Sequence, residues 1–544
     1  MSRFLIRSSV RCHNLASRVL GMALRGIDED FLLQYGYRPW LVESFVDTEH
    51  FAGICYQAAN WQAIGHSQGR GRQDREHKHA KSVKDIYVYV LEPQFRALMG
   101  VAPPQGPVAL EIAQGLDDTQ WAAHEFGGAQ LGDQRLGDRL VQSAGALAAM
   151  PGRAFCGVAQ GDLAAVKGYY RLIDKPDDSQ VTMDAILAPH RARTVQRMRA
   201  QPTVLCIQDG SDLNYSGLAR CEGLGSIGTN QTGARSPGLH LHSTLAVSTE
   251  GLPLGVLGAQ CSAPIARPEH DDRAACDLSI DEKKTFSWIQ GLRECVEVAG
   301  QLPDTRLVCV MDREADFFEL FDEQRKSGRV DLLVRAKHDR VTSDQCHLFE
   351  CARSSPVQAR MRIDVPRQSA RPKKSKQKVR AGHPRRTAQV ALRYREIEFR
   401  PPARHHAKQP IKLWVVHVGE TRRPRNAEPV EWFLLSTCPI TSPAQAQECL
   451  RWYCLRWRIE DWHRVLKSGC RIEALQHKTA ERLKRAIAIN LVIAWRIMLM
   501  TLLGRQCPDL PADVLFSDFE VEVLRAYAKK SEFTSQSGWA MQYA

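Results

Sequence analysis

Two apolar runs constrain this chain more than any other feature. Residues 203–209, TVLCIQD, and 305–312, TRLVCVMD, are strand-length and largely hydrophobic without alternation, and each closes on an aspartate. A strand with no polar side is buried on both faces, which requires helices above and below it and hence a layered α/β sheet. In such sheets the crevice at the strand ends collects function. Asp209 and Asp312 are therefore candidate functional carboxylates, and an aspartate that merely starts a turn is the alternative for each taken alone.

With 544 residues the chain is too long for one core and should divide into domains. Its 74 Lys and Arg against 61 Asp and Glu leave a formal charge of +13. That excess points to a polyanionic partner, a basic surface kept for solubility being the alternative. Sixteen cysteines contain no C-x-x-C pair, which argues against zinc ribbons and a disulfide scaffold and for reduced cytosolic thiols. Arginines interrupt the apolar stretches of the first 21 residues, so no export signal is expected. The longest apolar run, residues 486–504, contains Asn490 and Arg496 and reads as a buried core helix, with no membrane partner.

Boundaries follow from changes of pattern. A Pro/Gly-rich stretch at 99–109 reads as a linker after an α+β block, 1–105, that holds the strand-like RPWLVESFVD and DIYVYVLE. Between those strands lies a Gly/Arg/His-rich loop, a weak phosphate-binding signal or simply a solvated loop. A helical segment, 119–180, places Leu136, Leu140, Ala144 and Leu147 on one face and carries Arg135, Arg139, Lys167 and Arg171, which could grip DNA phosphates or be solvated charge. The two carboxylate runs fall in 200–325. A β-like stretch, 326–440, follows and is interrupted by the basic, acid-free residues 371–386, an arm for a phosphate backbone or a solubilising run. Helices resume at 441–505, and 506–544 is mostly polar.

Near the end, YCLRWRIEDWHRVLKSGC reads as one helix. At about 100° per residue, Tyr453, Arg456, Glu460, His463 and Lys467 fall within a stripe about 80° wide, opposite Leu455, Ile459, Trp462 and Leu466. A lone carboxylate among cations and a phenol is unlike a core seam, although Arg456 and Glu460 could form an ordinary i, i+4 surface pair. With Asp209 and Asp312 it makes three carboxylates in a basic protein, the composition of a magnesium site that handles phosphate.

These residues carry a resemblance. Tyr453, Arg456, Glu460 and Lys467 form Y-x2-R-x3-E-x6-K, which resembles the signature of bacterial insertion-sequence DDE transposases, and the chain looks especially like the transposon-five group. LGDQRLGDRLVQSAGALA, IQDGSDLNYS, MDREAD and RWRIEDWHRVLKSG extend the resemblance in order along the chain. The resemblance implies an α/β multidomain protein: a helical DNA-binding domain, an RNase H-like catalytic domain (200–325 and 441–505) and a β-rich insertion (326–440). It implies Asp209, Asp312 and Glu460 as catalytic ligands of Mg²⁺ or Mn²⁺, two ions about 3.5–4 Å apart. Tyr453, Arg456 and Lys467, with His463, Arg464, Arg135 and Arg139, would bind DNA. Trp432 matches a tryptophan that stacks on a flipped base, an ordinary core Trp being the alternative. The implied partners are double-stranded DNA, at terminal inverted repeats and at a target, and a second copy of the chain; the implied place is the bacterial nucleoid.

Residues 1–105 resemble instead a bacterial domain of unknown function found in mobile-element and anti-phage proteins. FSDFEVEVLRAYAKK resembles the start of the family's C-terminal dimerisation region, of which the given sequence holds only a part, so the expectation for paired-end assembly is weak. A DNA-binding inhibitor or relic, unable to transpose, is the alternative function.

Overall fold

The computed structural model describes residues 12–506 and Val521, apart from 13, 48–49, 60, 68–82, 93–119, 219, 230–234, 266–269, 271–272, 274–276, 343–344, 366–381, 384, 403–404, 406–407 and 425–426. The 99–109 linker and most of the Gly/Arg/His loop, the 371–386 arm and the 506–544 region fall outside those residues. The chain divides into two compact units, Met1–Pro107 and Val108–Ala544.

In the first unit, RPWLVESFVD folds as the strand Leu41–Asp47, its burial alternating as expected of a half-covered strand. DIYVYVLE folds as Lys84–Val90, which pairs antiparallel with it and, on its other side, with Gln62–His66. The helix Leu15–Tyr35 contributes Leu20 and Leu24 to a small core with Val42, Val46, Tyr56, Trp61 and Tyr87.

The second unit is built on one sheet of ten strands among the described residues. At its centre Thr203–Asn214 lies between Arg306–Met311, which is parallel to it, and Arg235–Ser248, which is antiparallel. Pro253–Ser262 pairs beyond Arg235–Ser248, and Val330–Arg335 lies parallel beyond Arg306–Met311. Three antiparallel strands whose first is followed laterally by two parallel ones make an RNase H-like arrangement. Both central runs are apolar because both faces are covered. His242 meets Trp288 of the helix Phe286–Ala299 on one face, while its neighbour Ser243 bonds His463 on the other. That second face also receives Met183–Arg199 and Ala480–Gln506: Thr194 presses on Gly255, and Trp495 Nε1 donates to the Pro253 carbonyl.

Val330–Arg335, within the 326–440 stretch, is thus a strand of the central arrangement, and the rest of that stretch extends the same sheet. Glu431–Ser436 pairs with Val330–Arg335, and Ile411–Glu420, Arg386–Phe399 and Ala359–Val365 follow outward, all antiparallel. Here the expectation of reduced thiols meets an exception, a disulfide joining Cys346 and Cys351 across the start of the helix Leu348–Ser354.

The single helix expected over 453–470 is broken. Pro443–Leu455 opens on a capping box from Ser442 and Gln445, turns at Arg456, and resumes as Trp457–Arg464 before widening to a π turn, Val465–Gly469. The Arg456 N–H bonds the carbonyl of Tyr453, three residues back, which tightens the chain where its side chain swings toward Asp209. Ala480–Gln506 is long and apolar enough to cross a membrane, but most of it is buried in the core.

Candidate active site and nucleic-acid interface

Register brings the two aspartates together. Ile207 lies level with Val310 in the parallel pair, so Asp209 and Asp312, each two residues further on, leave the same level of neighbouring strands. Thr203–Asn214 continues past Asp209 because Arg235–Ser248 pairs it as far as Asn214. Asp312 ends its strand, and its Oδ1 accepts from the Glu314 N–H at 2.7 Å, capping the short turn Arg313–Ala315. The turn-starting reading of that aspartate is correct locally and compatible with a role in the site.

Glu460 reaches the pair through Arg456. One guanidinium nitrogen stands 3.3 Å from Asp209 Oδ2 and the other bonds Glu460, while the guanidinium itself is buried and lies 5.1 Å over the Trp457 ring. Burial pushes the Asp209 carboxyl up to about 7; Arg456 opposes this, and the charges of Asp312 and Glu460 add to it. Three carboxylates thus share one field with one buried cation. As placed, no three His, Cys, Asp or Glu side chains among the described residues surround a point closely enough to chelate an ion. The donor set nevertheless fits a hard divalent cation, being all oxygen and carrying negative charge that a single Arg456 does not balance.

The remaining expected residues divide by depth. Tyr453 is buried, its ring edge 5.4 Å from the half-buried Trp432. Arg335, 5.6 Å over the Trp432 ring, also hydrogen-bonds the Tyr453 phenol. Sequence reasoning missed Arg335, although VDLLVR has the design of the two carboxylate runs, an apolar strand closing on a charge. Lys467 donates to the Asp212 carbonyl at 2.6 Å, on the rim of the site. Arg464 is exposed and pairs with Asp461. His463 lies underneath, buried, with Nε2 2.9 Å from Ser243 Oγ; burial holds its ring neutral, with a pKa of about 3. It fastens the helix to the sheet.

In the helical segment, Asp133 caps Gln134–Ala149 and Asp162 caps Leu163–Ile173. Arg139, Lys167, Arg171 and Lys175 line one surface hollow of about 530 Å³, with Asp174 the acid beside them. Arg135, a turn before Arg139, is exposed.

The segments with this geometry match known families. A model of the transposase DDE domain matches residues 209–496, more than half of the chain. The chain belongs to the transposase DDE domain family. Its match begins at Asp209 and takes in Asp312 and Glu460. A second model, transposase DNA-binding, matches 118–177, the helices that carry the basic hollow, and a third, Druantia protein DruA, matches 1–97 in the first unit. The protein is a DNA-binding transposase, a class that cleaves DNA and transfers strands, carrying an N-terminal domain of the DruA family.

Proposed function

We propose that this transposase moves DNA by cut-and-paste: it nicks the strands at the inverted repeats of an element, closes a hairpin at each freed end, reopens it and joins the ends to a target. The observation that carries this reading is the level exit of Asp209 and Asp312 from neighbouring strands, with Glu460 drawn to them by Arg456. Asp209, Asp312 and Glu460 would hold Mg²⁺ or Mn²⁺. A bound divalent ion would activate the attacking oxygen and stabilise charge at the phosphorus and leaving oxygen. Arg456 neutralises two of the carboxylates in its absence. Lys467, held on the rim, and Arg464, in solvent, bind phosphates as point charge and fork respectively. Trp432, in contact with Tyr453 and Arg335, stacks on the base pulled from the duplex when the hairpin closes. Arg139, with Arg135 outside the hollow, grips the DNA end. We assign end binding to 119–180 and catalysis to 200–325 with 441–505 around the 326–440 insertion; 1–105 and 506–544 carry separate tasks. The site of action is the bacterial nucleoid, and the acting form is a homodimer on DNA.

Glu460→Gln tests this. It removes a carboxylate charge and no phosphate-binding cation, so it should keep DNA affinity and lose Mg²⁺-dependent strand cleavage. Cleavage at the wild-type rate in a purified assay would sink the three-carboxylate reading; a wild type that binds ends and never cuts them would favour the inhibitor.

A further inference from the structure

The Ala480–Gln506 helix buries Arg485, a cation that an apolar core helix does not need. Arg485 is 1% exposed, and its guanidinium gives four hydrogen bonds to main-chain carbonyls: Nε to Val181 at 2.6 Å, Nη1 to Ile173 at 3.0 Å and to Lys175, and Nη2 to Pro176 at 2.9 Å. Those carbonyls run from the last residue of Leu163–Ile173 through the connection to Met183–Arg199, and Arg171 and Lys175, on either side of its start, line the basic hollow. Arg482, a turn earlier on the long helix, pairs with Asp174 of the same connection. A second seat lies at the turn after Gln134–Ala149. There Gly152, at φ +76°, approaches the π turn so closely that a Cβ would stand 2.6 Å from the Gly469 carbonyl oxygen. That π turn carries Lys467. A third lies at Arg496, 4.9 Å over the Trp121 ring.

The helices that carry the basic hollow are therefore seated on the long helix, whose Leu491 carbonyl accepts from Trp462 Nε1 of the Glu460 helix, and on the π turn that follows the Glu460 helix, and Arg485 holds the seat by main-chain atoms. DNA advances about 3.4 Å per nucleotide along its axis. A shift of that size between hollow and carboxylates would move the cut by one position. We propose that Arg485 is a positioning residue that sets where along the DNA the cut falls, by fixing the distance from the basic hollow to Asp209, Asp312 and Glu460. The inference rests on the DNA-cutting reading above.

The experiment uses the full chain and an end-labelled duplex that the wild type has selected from a random-sequence pool. A photo-crosslinking residue, p-benzoylphenylalanine, replaces the exposed Ser468 next to Lys467, and crosslinks and Mg²⁺-dependent cuts are mapped to the nucleotide. The wild type should give one crosslink position and one cut position. Arg485→Lys should spread both over neighbouring nucleotides with affinity unchanged within about twofold, since no phosphate-facing cation is lost. A merely structural Arg485 would lower yield and leave the positions alone, and that result overturns the proposal. Asp174→Asn loosens the same connection from its exposed rim and should give a smaller spread; if Arg485→Lys does not fold, fixed positions in Asp174→Asn overturn the proposal. A wild type that crosslinks at one position and never cuts overturns the cutting reading, while the crosslink map still decides whether Arg485 sets the register.

Discussion

Arg456 bridges Asp209 and Glu460 from a buried place in the turn between two helices. Removing one partner of such a group leaves like charges facing each other without compensation. Arg456→Met is expected to lower stability by about 1–3 kcal/mol, the range for an orphaned buried polar group. Adding Glu460→Gln should recover part of the loss, because it deletes one of the stranded charges; thermal melts of the two single variants and the double variant decide. The Trp432 ring packs against Tyr453 and Arg335. On the proposed stacking role, Trp432→Ala should spare the first nick and slow hairpin closure by roughly 1–3 kcal/mol, the worth of one base–aromatic stack. Single-turnover assays that resolve nick and hairpin would show equal losses at both steps if the residue were only a packing element.

At the scale of elements, the site depends on how tightly the helices press on the sheet. Gly255, in Pro253–Ser262, has φ +154°, and a Cβ there would stand 1.9 Å from Thr194 Oγ1 of Met183–Arg199. Gly255→Ala should therefore force strand and helix apart and cost about 1–3 kcal/mol. Gly255→Ala combined with Thr194→Ala, which empties the clashing volume, should return part of that in a denaturant melt. On the opposite face, Gly291 lies against Gln208 and Gly258 against Glu294, so Phe286–Ala299 is drawn in just as closely. Two such faces exclude charge from the residues before Asp209 and before Asp312, which is why both runs are apolar as far as those carboxylates.

At the largest scale, one buried charge cluster in the second unit ties the DNA-binding helices to the central sheet. Glu125 of Trp121–Phe126 is fully buried; it bonds His190 Nδ1 at 2.5 Å, Arg193 at 3.2 Å and Arg197. His190 Nε2 accepts from the Val256 N–H at 2.9 Å, and Arg197 lies 4.5 Å over Trp495. Burial raises the Glu125 carboxyl, but Arg197, His190 and Arg193 outweigh it and hold the pKa at about 2. A depressed carboxylate contributes stability that is present above its unfolded value of about 4.3 and is lost as pH falls toward the folded one. The wild type should thus lose on the order of 3 kcal/mol between about pH 4.5 and 2 from this group. Glu125→Gln should be less stable at neutral pH and fall less steeply over that window, as read from acid titrations of folding free energy. The net charge of +13 adds a second expectation, that duplex affinity falls steeply with salt, on the order of 10³-fold or more from about 50 to 200 mM if six or more phosphates are contacted.

Sequence alone determined the α/β class, both central strands, the α+β character of the first unit, the helical segment with Leu136, Leu140, Ala144 and Leu147 buried, and the core helix near the end. These rest on local periodicity, which a chain carries wherever it lies. Sequence also singled out Asp209, Asp312 and Glu460 as candidates, since a strand run that stops on a charge and a helix stripe that mixes charges both break the local rule, and the structure brings Asp209 and Glu460 to one guanidinium. Tertiary structure alone decided the rest. Arg335 joined the site because Val330–Arg335 lies parallel to Arg306–Met311. His463 became an anchor of its helix on the sheet because it meets Ser243, a partner 220 residues away that no helical wheel contains. The β-rich stretch became an extension of the central sheet, because pairing partners are chosen by edges brought together in space and not by their order along the chain.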